Sequence, residues 1–123
     1  MINILYIEDS AVNTYIVKKM VKSLGYQMIP AYDGAEGVII AEEHQPNLIL
    51  VDLKLPDVNG LDVIKHLRQR SQFDQTPIIA LTATDSPTVE EECLSAGCND
   101  YLVKPVSQLR LVNTVEKYLK SVV

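Results

Sequence analysis

Hydrophobic residues cluster along the chain in five short runs that are separated by longer, mixed segments. These runs predict strands at residues 2–8, 27–32, 47–52, 77–82 and 100–104. The first, third and fourth runs are almost continuously apolar, which is typical of parallel strands covered on both faces. The pattern therefore favours a buried parallel sheet.

The segments between the runs carry apolar residues at helical spacing, so we expect amphipathic helices there. The first stripe comprises Val12, Ile16, Met20, Val21 and Leu24. Three later stripes begin with Val38 and Ile39, with Leu61, Ile64 and Leu67, and with Val112, Val115 and Leu119. Helices between successive strands therefore give an alternating strand–helix pattern.

Local signals mark where these helices begin and end. Asp33 and Glu36 have the spacing of a capping box. Helix starts are also indicated by Ser86-Pro87 and by Ser107, and Gly60 is expected to begin the third helix. Gly25 and Gly97 are expected to end helices. Alternation without a repeat or a linker predicts a doubly wound α/β fold, with residues 1–123 forming a single domain.

Composition and charge narrow the classes of function. Hydrophobic residues make up 47% of the 123 residues and charged residues 22%, as in a soluble globular domain. The net charge of −5 argues against nucleic acid as a partner. No apolar stretch is long enough to span a membrane, so we expect a cytoplasmic protein in which Cys93 and Cys98 stay reduced.

Polar residues gather where four of the predicted strands end. Glu8 and Asp9 follow the first strand, Asp52 ends the third, Thr82 ends the fourth and Lys104 ends the fifth. Parallel strands bring these ends to one edge of the sheet, where such folds bind ligands. Clustered carboxylates repel one another unless a cation is present, and Mg²⁺ prefers carboxylate, water and phosphate oxygens.

Asp52 is central in this group and is the candidate nucleophile for phosphoryl transfer. Lys104 would neutralise phosphoryl oxygens from the side opposite the metal. Taken singly, an Asp after a strand is usually a turn former, and Thr82 or Lys104 is usually structural or solvated. Because four strand ends carry side chains that suit the same phosphoryl-transfer chemistry, we favour the functional interpretation of the group.

The motifs "YIEDS", "LILVDLKLPDVNGLD", "ALTA" and "YLVKP" occur in order on successive strands. With them, the chain closely resembles a response-regulator receiver domain of two-component signalling, the CheY-like fold. The resemblance implies a flavodoxin-like sheet with strand order 2-1-3-4-5. It also implies that a histidine kinase or phosphotransfer protein phosphorylates Asp52.

The resemblance assigns further roles residue by residue. Glu8 and Asp9 match the acidic pair that holds Mg²⁺, for which Mn²⁺ is a substitute, and the backbone carbonyl of Lys54 matches another metal ligand. Thr82 and Tyr101 match a switch pair. Lys104 matches the lysine that pairs with the phosphoryl group, before a cis bond to Pro105, while Pro56 and Gly60 match the loop after Asp52.

This chain departs from the commonest family pattern at a few positions. Glu8 stands where the family often has Asp, and Asn59 where it often has Asp before the loop glycine. Lys54, with Ala83 and Thr84, is expected to tune how quickly water removes the phosphoryl group. None of these departures removes an essential group.

The resemblance implies output through the face of the fourth helix, fifth strand and fifth helix, which would bind a protein effector. We expect a stand-alone response regulator, with a receiver domain cut from a hybrid histidine kinase or larger regulator as the alternative. Such a domain is a phosphoacceptor and autophosphatase, not an enzyme with conventional turnover. His44 and His66 lie on predicted helices away from the strand ends, so they are not expected to be phosphodonors.

Three rival functions make distinct demands on the sequence. A Mg²⁺-dependent aspartyl-phosphate phosphatase would usually carry a second Asp where Lys54 stands. A flavodoxin-like carrier would need a Gly- and hydroxyl-rich phosphate loop where "EDSAVNTY" stands. A phosphorylation-independent scaffold would not need Glu8, Asp9, Asp52, Thr82 and Lys104 all intact.

Overall fold

The computed structural model describes residues 1–120, in which five strands alternate with five α-helices and one short 3-10 turn. The strands are β1 Asn3–Ile7, β2 Gln27–Ala31, β3 Leu48–Asp52, β4 Ile78–Thr82 and β5 Asp100–Val103. The helices are α1 Ala11–Lys22, α2 Gly34–His44, α3 Gly60–Arg68, α4 Pro87–Ala96 and α5 Gln108–Leu119, and the 3-10 turn is Ser71–Phe73. The predicted alternation is confirmed, and residues 121–123 of the predicted domain lie outside the described residues.

All neighbouring strands are parallel, and their order is β2-β1-β3-β4-β5. The predicted doubly wound fold and its strand order are therefore confirmed. Every residue of β3 and β4 is buried, because helices cover both faces of the sheet. Asp52 pairs in register with Leu81, and Thr82 with Val103, so the strand ends meet at one edge.

Alternate residues along each strand pack into two apolar cores, one on each face of the sheet. Ile7 and Val51 face the core that contains Ile64 of α3 and Ala96 of α4. Their neighbours Tyr6 and Leu50 instead face the core formed with Val17 of α1 and Val115 of α5. Burial on both sides holds the central strands, and hence their carboxyl ends, in fixed positions.

β2 forms one edge of the sheet and contains Pro30. The Gln27 N–H donates to Ile2 O at 3.0 Å and Ala31 O accepts from Glu8 N–H at 2.9 Å, so alternate positions face β1. Pro30 therefore points its nitrogen away from β1, where the lack of an N–H breaks no ladder bond.

The predicted helix caps are confirmed. Asp33 accepts the Glu36 N–H at 2.7 Å, although the Glu36 carboxylate accepts from the Tyr32 N–H at 3.2 Å instead of completing a capping box. Ser86 and Ser107 also cap their helices with side-chain oxygens. Gly25 at φ 79° and Gly97 at φ 115° adopt the left-handed backbone that favours glycine.

The predicted apolar stripe on α1 coincides only in part with its buried face. Val12 is 68% exposed and Ile16 is 44% exposed, whereas Thr14, Val17 and Val21 are buried. Thr14 tolerates burial because its hydroxyl donates to Ser10 O at 2.9 Å. A pattern that counts threonine as polar therefore misplaces the buried face of this helix.

Two further expectations concern the thiols and the membrane. Cys93 and Cys98 are both buried free cysteines, and the expectation that they stay reduced in the cell remains a prediction. Across residues 1–120, no helix combines the length and the apolar character that crossing a bilayer requires.

Candidate functional site

The ends of β1, β3, β4 and β5 surround a cleft of about 840 Å³ at the carboxyl edge of the sheet. Its lining includes the side chains predicted to converge there: Glu8, Asp9, Asp52, Thr82 and Lys104. The loop after β3, with Lys54 and Pro56, forms one wall. The structure thus brings together the predicted strand-end residues.

A lysine bridges two buried carboxylates at the base of this cleft. Lys104 Nζ lies 2.8 Å from Asp52 Oδ2 and 3.0 Å from Glu8 Oε1. Glu8 is 1% exposed and Asp52 is 5% exposed, so these charges interact largely away from water. Lys104 follows β5 and is held by its own N–H, which donates to Thr82 O at 2.7 Å. Its bond to Pro105 is cis, the conformation that the resemblance implied.

The two carboxyl groups are shifted in opposite directions. Burial is the main cause that raises the pKa of Glu8, and the closeness of Asp52 raises it further, while the hydrogen bonds from Asn13 and Lys104 act in the opposite direction. Burial also acts to raise the pKa of Asp52, but hydrogen bonds with Glu8, Lys104 and the Lys54 N–H outweigh it and lower that pKa. The same contacts raise the pKa of Lys104 against the effect of its own burial. Of these two carboxyl groups, Asp52 is therefore the one that stays ionised more readily.

The acidic cluster has the donor chemistry of a metal site. One oxygen from each of Glu8, Asp9 and Asp52 lies within 4.8 Å of the others. Glu8 Oε2 is buried, and among the described residues it has no hydrogen-bond partner. A buried carboxylate oxygen without a donor is costly unless a cation contacts it. The residues present therefore fit a hard divalent ion.

Thr82 lines the cleft, whereas Tyr101 lies two residues before the end of β5 and outside the lining, and each has its own partner. Thr82 Oγ1 accepts the Thr84 N–H at 3.1 Å and donates to Thr84 O at 3.3 Å. The Tyr101 hydroxyl donates to Asp85 Oδ1 at 3.3 Å. Both residues are therefore tied to the loop that follows β4.

The two histidines lie far from these groups in the fold. His44 is the last residue of α2, and His66 lies in the last turn of α3. In a parallel α/β fold, each of these helices ends near the N-terminal end of the next strand, which is the end of the sheet away from the cleft. This placement agrees with the prediction that both histidines lie away from the cleft.

Two residues with roles around the cleft were missed by the sequence prediction. Asn13 Nδ2 donates to Glu8 Oε1 at 2.6 Å. Asp57, in the loop after β3, accepts from Gly34 N–H at 2.9 Å and Ala35 N–H at 3.0 Å. These N–H groups belong to the first turn of α2, so Asp57 fastens the loop to that helix. Neither contact has a signal in sequence spacing, because each depends on how a loop turns.

Comparisons with known proteins agree with this geometry. Residues 4–116 match the family described as the response regulator receiver domain. The polar-differentiation response regulator DivK of Brucella anthropi is 35% identical over 117 residues, and the match covers 95% of both chains. The chemotaxis response regulator CheY4 of Vibrio cholerae superposes with a TM-score of 0.92 at 30% identity, covering 97% of this chain and 99% of that one.

A third relative is the receiver domain of a sensor histidine kinase from Pseudomonas aeruginosa, whose structure has a magnesium ion coordinated in the active-site cleft. It is 36% identical, with a TM-score of 0.88, and the superposition covers 96% of this chain and 97% of that one. Family match, relatives and fold thus lead to one conclusion. The chain belongs to the response regulator receiver domain family.

Proposed function

We propose that this domain accepts a phosphoryl group on Asp52 from the phosphohistidine of a histidine kinase or phosphotransfer protein. The observation that carries the proposal is the contact of 2.8 Å between Lys104 Nζ and Asp52 Oδ2 beside the second carboxylate, Glu8. An ionised carboxylate at the end of a rigid strand is a suitable nucleophile, and the lowered pKa of Asp52 supports this role.

In the proposed reaction, one carboxylate oxygen of Asp52 forms a bond to phosphorus while the P–N bond of the phosphohistidine breaks. The electron pair of that bond leaves with the imidazole nitrogen. Lys104 neutralises negative charge on the phosphoryl oxygens, and the Lys54 N–H, 3.2 Å from Asp52 Oδ1, orients the carboxylate. The domain contributes positioning and electrostatics, so small phosphodonors such as acetyl phosphate are also expected to react.

Glu8, Asp9 and Asp52, with the backbone carbonyl of Lys54, would hold Mg²⁺, and Mn²⁺ is expected to substitute for it. When bound, the ion supplies positive charge against the phosphoryl oxygens. The grouping of the three carboxylates and the unpaired oxygen of Glu8 within the described residues support this assignment. The magnesium ion in the receiver domain from Pseudomonas aeruginosa supports it as well.

After phosphorylation, Thr82 is proposed to turn toward the phosphoryl group and Tyr101 to move with it. Their weak hydrogen bonds to the β4–α4 loop support such a change. The moving surface would be the α4–β5–α5 face, which would bind a protein effector and not nucleic acid or membrane. In this proposal, residues 1–123 form a single receiver domain in the cytoplasm.

Water attacking the phosphoryl group at the same site would return the domain to its starting state. The protein would then act as an autophosphatase without conventional turnover, and Lys54, Ala83 and Thr84 at the cleft wall would set the rate. The rival phosphatase mechanism needs an acid two residues beyond the nucleophile. Lys54 occupies that position, so the receiver mechanism is preferred.

The test is to incubate the protein with acetyl phosphate and Mg²⁺ and to look for one hydroxylamine-labile phosphoryl group by mass spectrometry. Asp52→Asn should abolish it, and the control Asp62→Asn, on the exposed side of α3, should not. Label that persists in Asp52→Asn would place the modification elsewhere. Sustained release of phosphate from a phosphomonoester would instead favour the phosphatase.

A further inference from the structure

We propose that Asn13 is a positioning residue of the metal site, because it fixes the Glu8 carboxylate so that Oε2 is directed to the cation. This inference rests on the proposed Mg²⁺ site. It assigns to α1 a polar group that supports the metal-binding carboxylates without itself being a ligand.

The contacts of Glu8 divide sharply between its two oxygens. Oε1 accepts from Asn13 Nδ2 at 2.6 Å and from Lys104 Nζ at 3.0 Å. Oε2 is equally buried and, within residues 1–120, accepts no hydrogen bond. Two donors on one oxygen fix the plane of the carboxylate. The oxygen left over is therefore the one available to a cation at the acidic cluster.

The position of Asn13 on α1 leaves its side chain free for this task. Asn13 is the third helical residue after the cap Ser10, and its backbone N–H is satisfied by Ser10 Oγ at 3.2 Å. In a capping box, the side chain at this position reaches back to the N–H of the cap residue. Here the amide extends past the cap to Glu8, so the helix start does not depend on it.

This arrangement separates a positioning role from a structural one. Alanine is a better helix former than asparagine, and Asn13→Ala keeps the backbone contact with Ser10. The lost hydrogen bond to the buried Glu8 carboxylate should nevertheless lower the stability of the metal-free protein modestly, while that protein stays folded. Metal affinity should fall, because Glu8 then keeps one donor and its carboxylate can rotate. Outer contacts of this kind typically alter metal affinity by about 10- to 100-fold.

The experiment titrates Mg²⁺ into the full chain by isothermal calorimetry and compares the wild type with Asn13→Ala and Asn13→Leu. Leucine preserves much of the side-chain bulk and removes the donor. Val12→Ala, at the exposed neighbouring position in the same helical turn, is the matched control. Urea unfolding in EDTA reports the stability of each variant without metal. We expect both Asn13 variants to bind Mg²⁺ at least about 10-fold more weakly, with Val12→Ala unchanged.

The outcomes separate this inference from the proposed function. Wild-type affinity in both Asn13 variants would overturn the role of Asn13 and leave the metal site standing. An Asn13 variant that is unfolded without metal, or an equal loss of affinity in Val12→Ala, would also overturn it. A wild-type chain that binds no Mg²⁺ would overturn the proposed metal site and this inference together.

Discussion

The two sides of the cleft are held by very different interactions. On the acid–lysine side, formed by Glu8, Asp52 and Lys104, charged groups meet at 2.8 and 3.0 Å and both carboxylates are buried. On the hydroxyl side, formed by Thr82 of the cleft and Tyr101 of the neighbouring strand β5, the hydroxyls donate over 3.3 Å to groups of the exposed loop after β4. Neighbouring parts of one sheet therefore differ, since one is held rigidly and the other weakly.

The difference follows from burial and charge. Buried, charge-assisted hydrogen bonds contribute about 1.5–3 kcal/mol each, whereas long hydrogen bonds to groups of an exposed loop compete with water and contribute little. Under the proposed function, the rigid side would keep the reacting groups in place and the weakly held side would change conformation. Substitutions on the two sides should accordingly differ in their effects.

The largest effect should come from Gly60→Ala, beneath the rigid side. A Cβ at Gly60 would collide with the backbone oxygen of Asp52 and would lie 2.6 Å from the Cα of Leu53. Backbone atoms of a buried strand cannot move aside cheaply, so we expect the free energy of unfolding to fall by about 3 kcal/mol. Urea denaturation measures this loss, and Asp52 should lose reactivity with it.

The matched control is Gly25→Ala. Gly25 differs from Gly60 in having a left-handed backbone, with φ 79°, and beyond its two chain neighbours no described atom lies within 4 Å of the added Cβ. Its cost should be about 1 kcal/mol, from the left-handed conformation alone. Equal losses in the two variants would show that the contact with the Asp52 backbone is not what matters.

Lys104→Met should rank second. It removes the shared cation from two buried carboxylates, and we expect a loss of about 2 kcal/mol in the free energy of unfolding, measured in EDTA. Lys120→Met is the control, since Lys120 lies 3.0 Å from Glu116 in an exposed pair that should contribute less than about 0.5 kcal/mol. A variant at position 104 as stable as this control would contradict the rigidity assigned to the acid–lysine side.

Asp57→Asn should have a smaller effect that depends on pH. Hydrogen bonds from the Gly34 and Ala35 N–H groups lower the pKa of Asp57 below its ordinary 3.8. A lowered pKa means that the carboxylate stabilises the fold above its unfolded pKa, and that this contribution is lost as pH falls through the folded value. The wild type should therefore be the more stable protein at about pH 6, and the difference should shrink as the pH falls below 3.8 and through the lowered pKa of the folded state. If the unfolding free energies of the wild type and Asp57→Asn changed with pH in parallel, the charge of Asp57 would not stabilise the contact between this loop and α2.

Thr82→Val should have the smallest effect on stability. The hydroxyl bonds only Thr84, which is exposed, so water can replace the lost contacts and the cost should stay below about 1 kcal/mol. Under the proposed function, phosphoryl uptake should persist while the NMR signals of Tyr101 no longer respond to it. A stability loss as large as that of Lys104→Met would erase the contrast between the two sides.

The fold could be predicted from the sequence because its signals are local. Apolar runs predicted the strands, and the caps at Asp33, Ser86 and Ser107 placed helix starts. The buried face of α1 was predicted less well, since Thr14 satisfies its hydroxyl within its own helix. The 3-10 turn Ser71–Phe73 escaped prediction because three residues are too few to show a period.

The candidate site was predictable where topology alone brings residues together. Parallel strands align their carboxyl ends, so Asp52 and Lys104 could be placed at one edge from their positions in the runs. Asn13 and Asp57 could not, because their contacts span turns whose geometry is not encoded in spacing. The opposite pKa shifts of Glu8 and Asp52 likewise depend on which oxygen meets which donor.

Pro30 has a consequence for assembly. A strand from another molecule that aligned itself along the outer side of β2 would meet a ring carbon where it needs an amide hydrogen. Edge-to-edge growth of the sheet into a fibre, or its extension by an extended peptide, is therefore discouraged at this border. Under the proposed function, partners would then dock on the opposite border of the sheet, where β5 lies between α4 and α5.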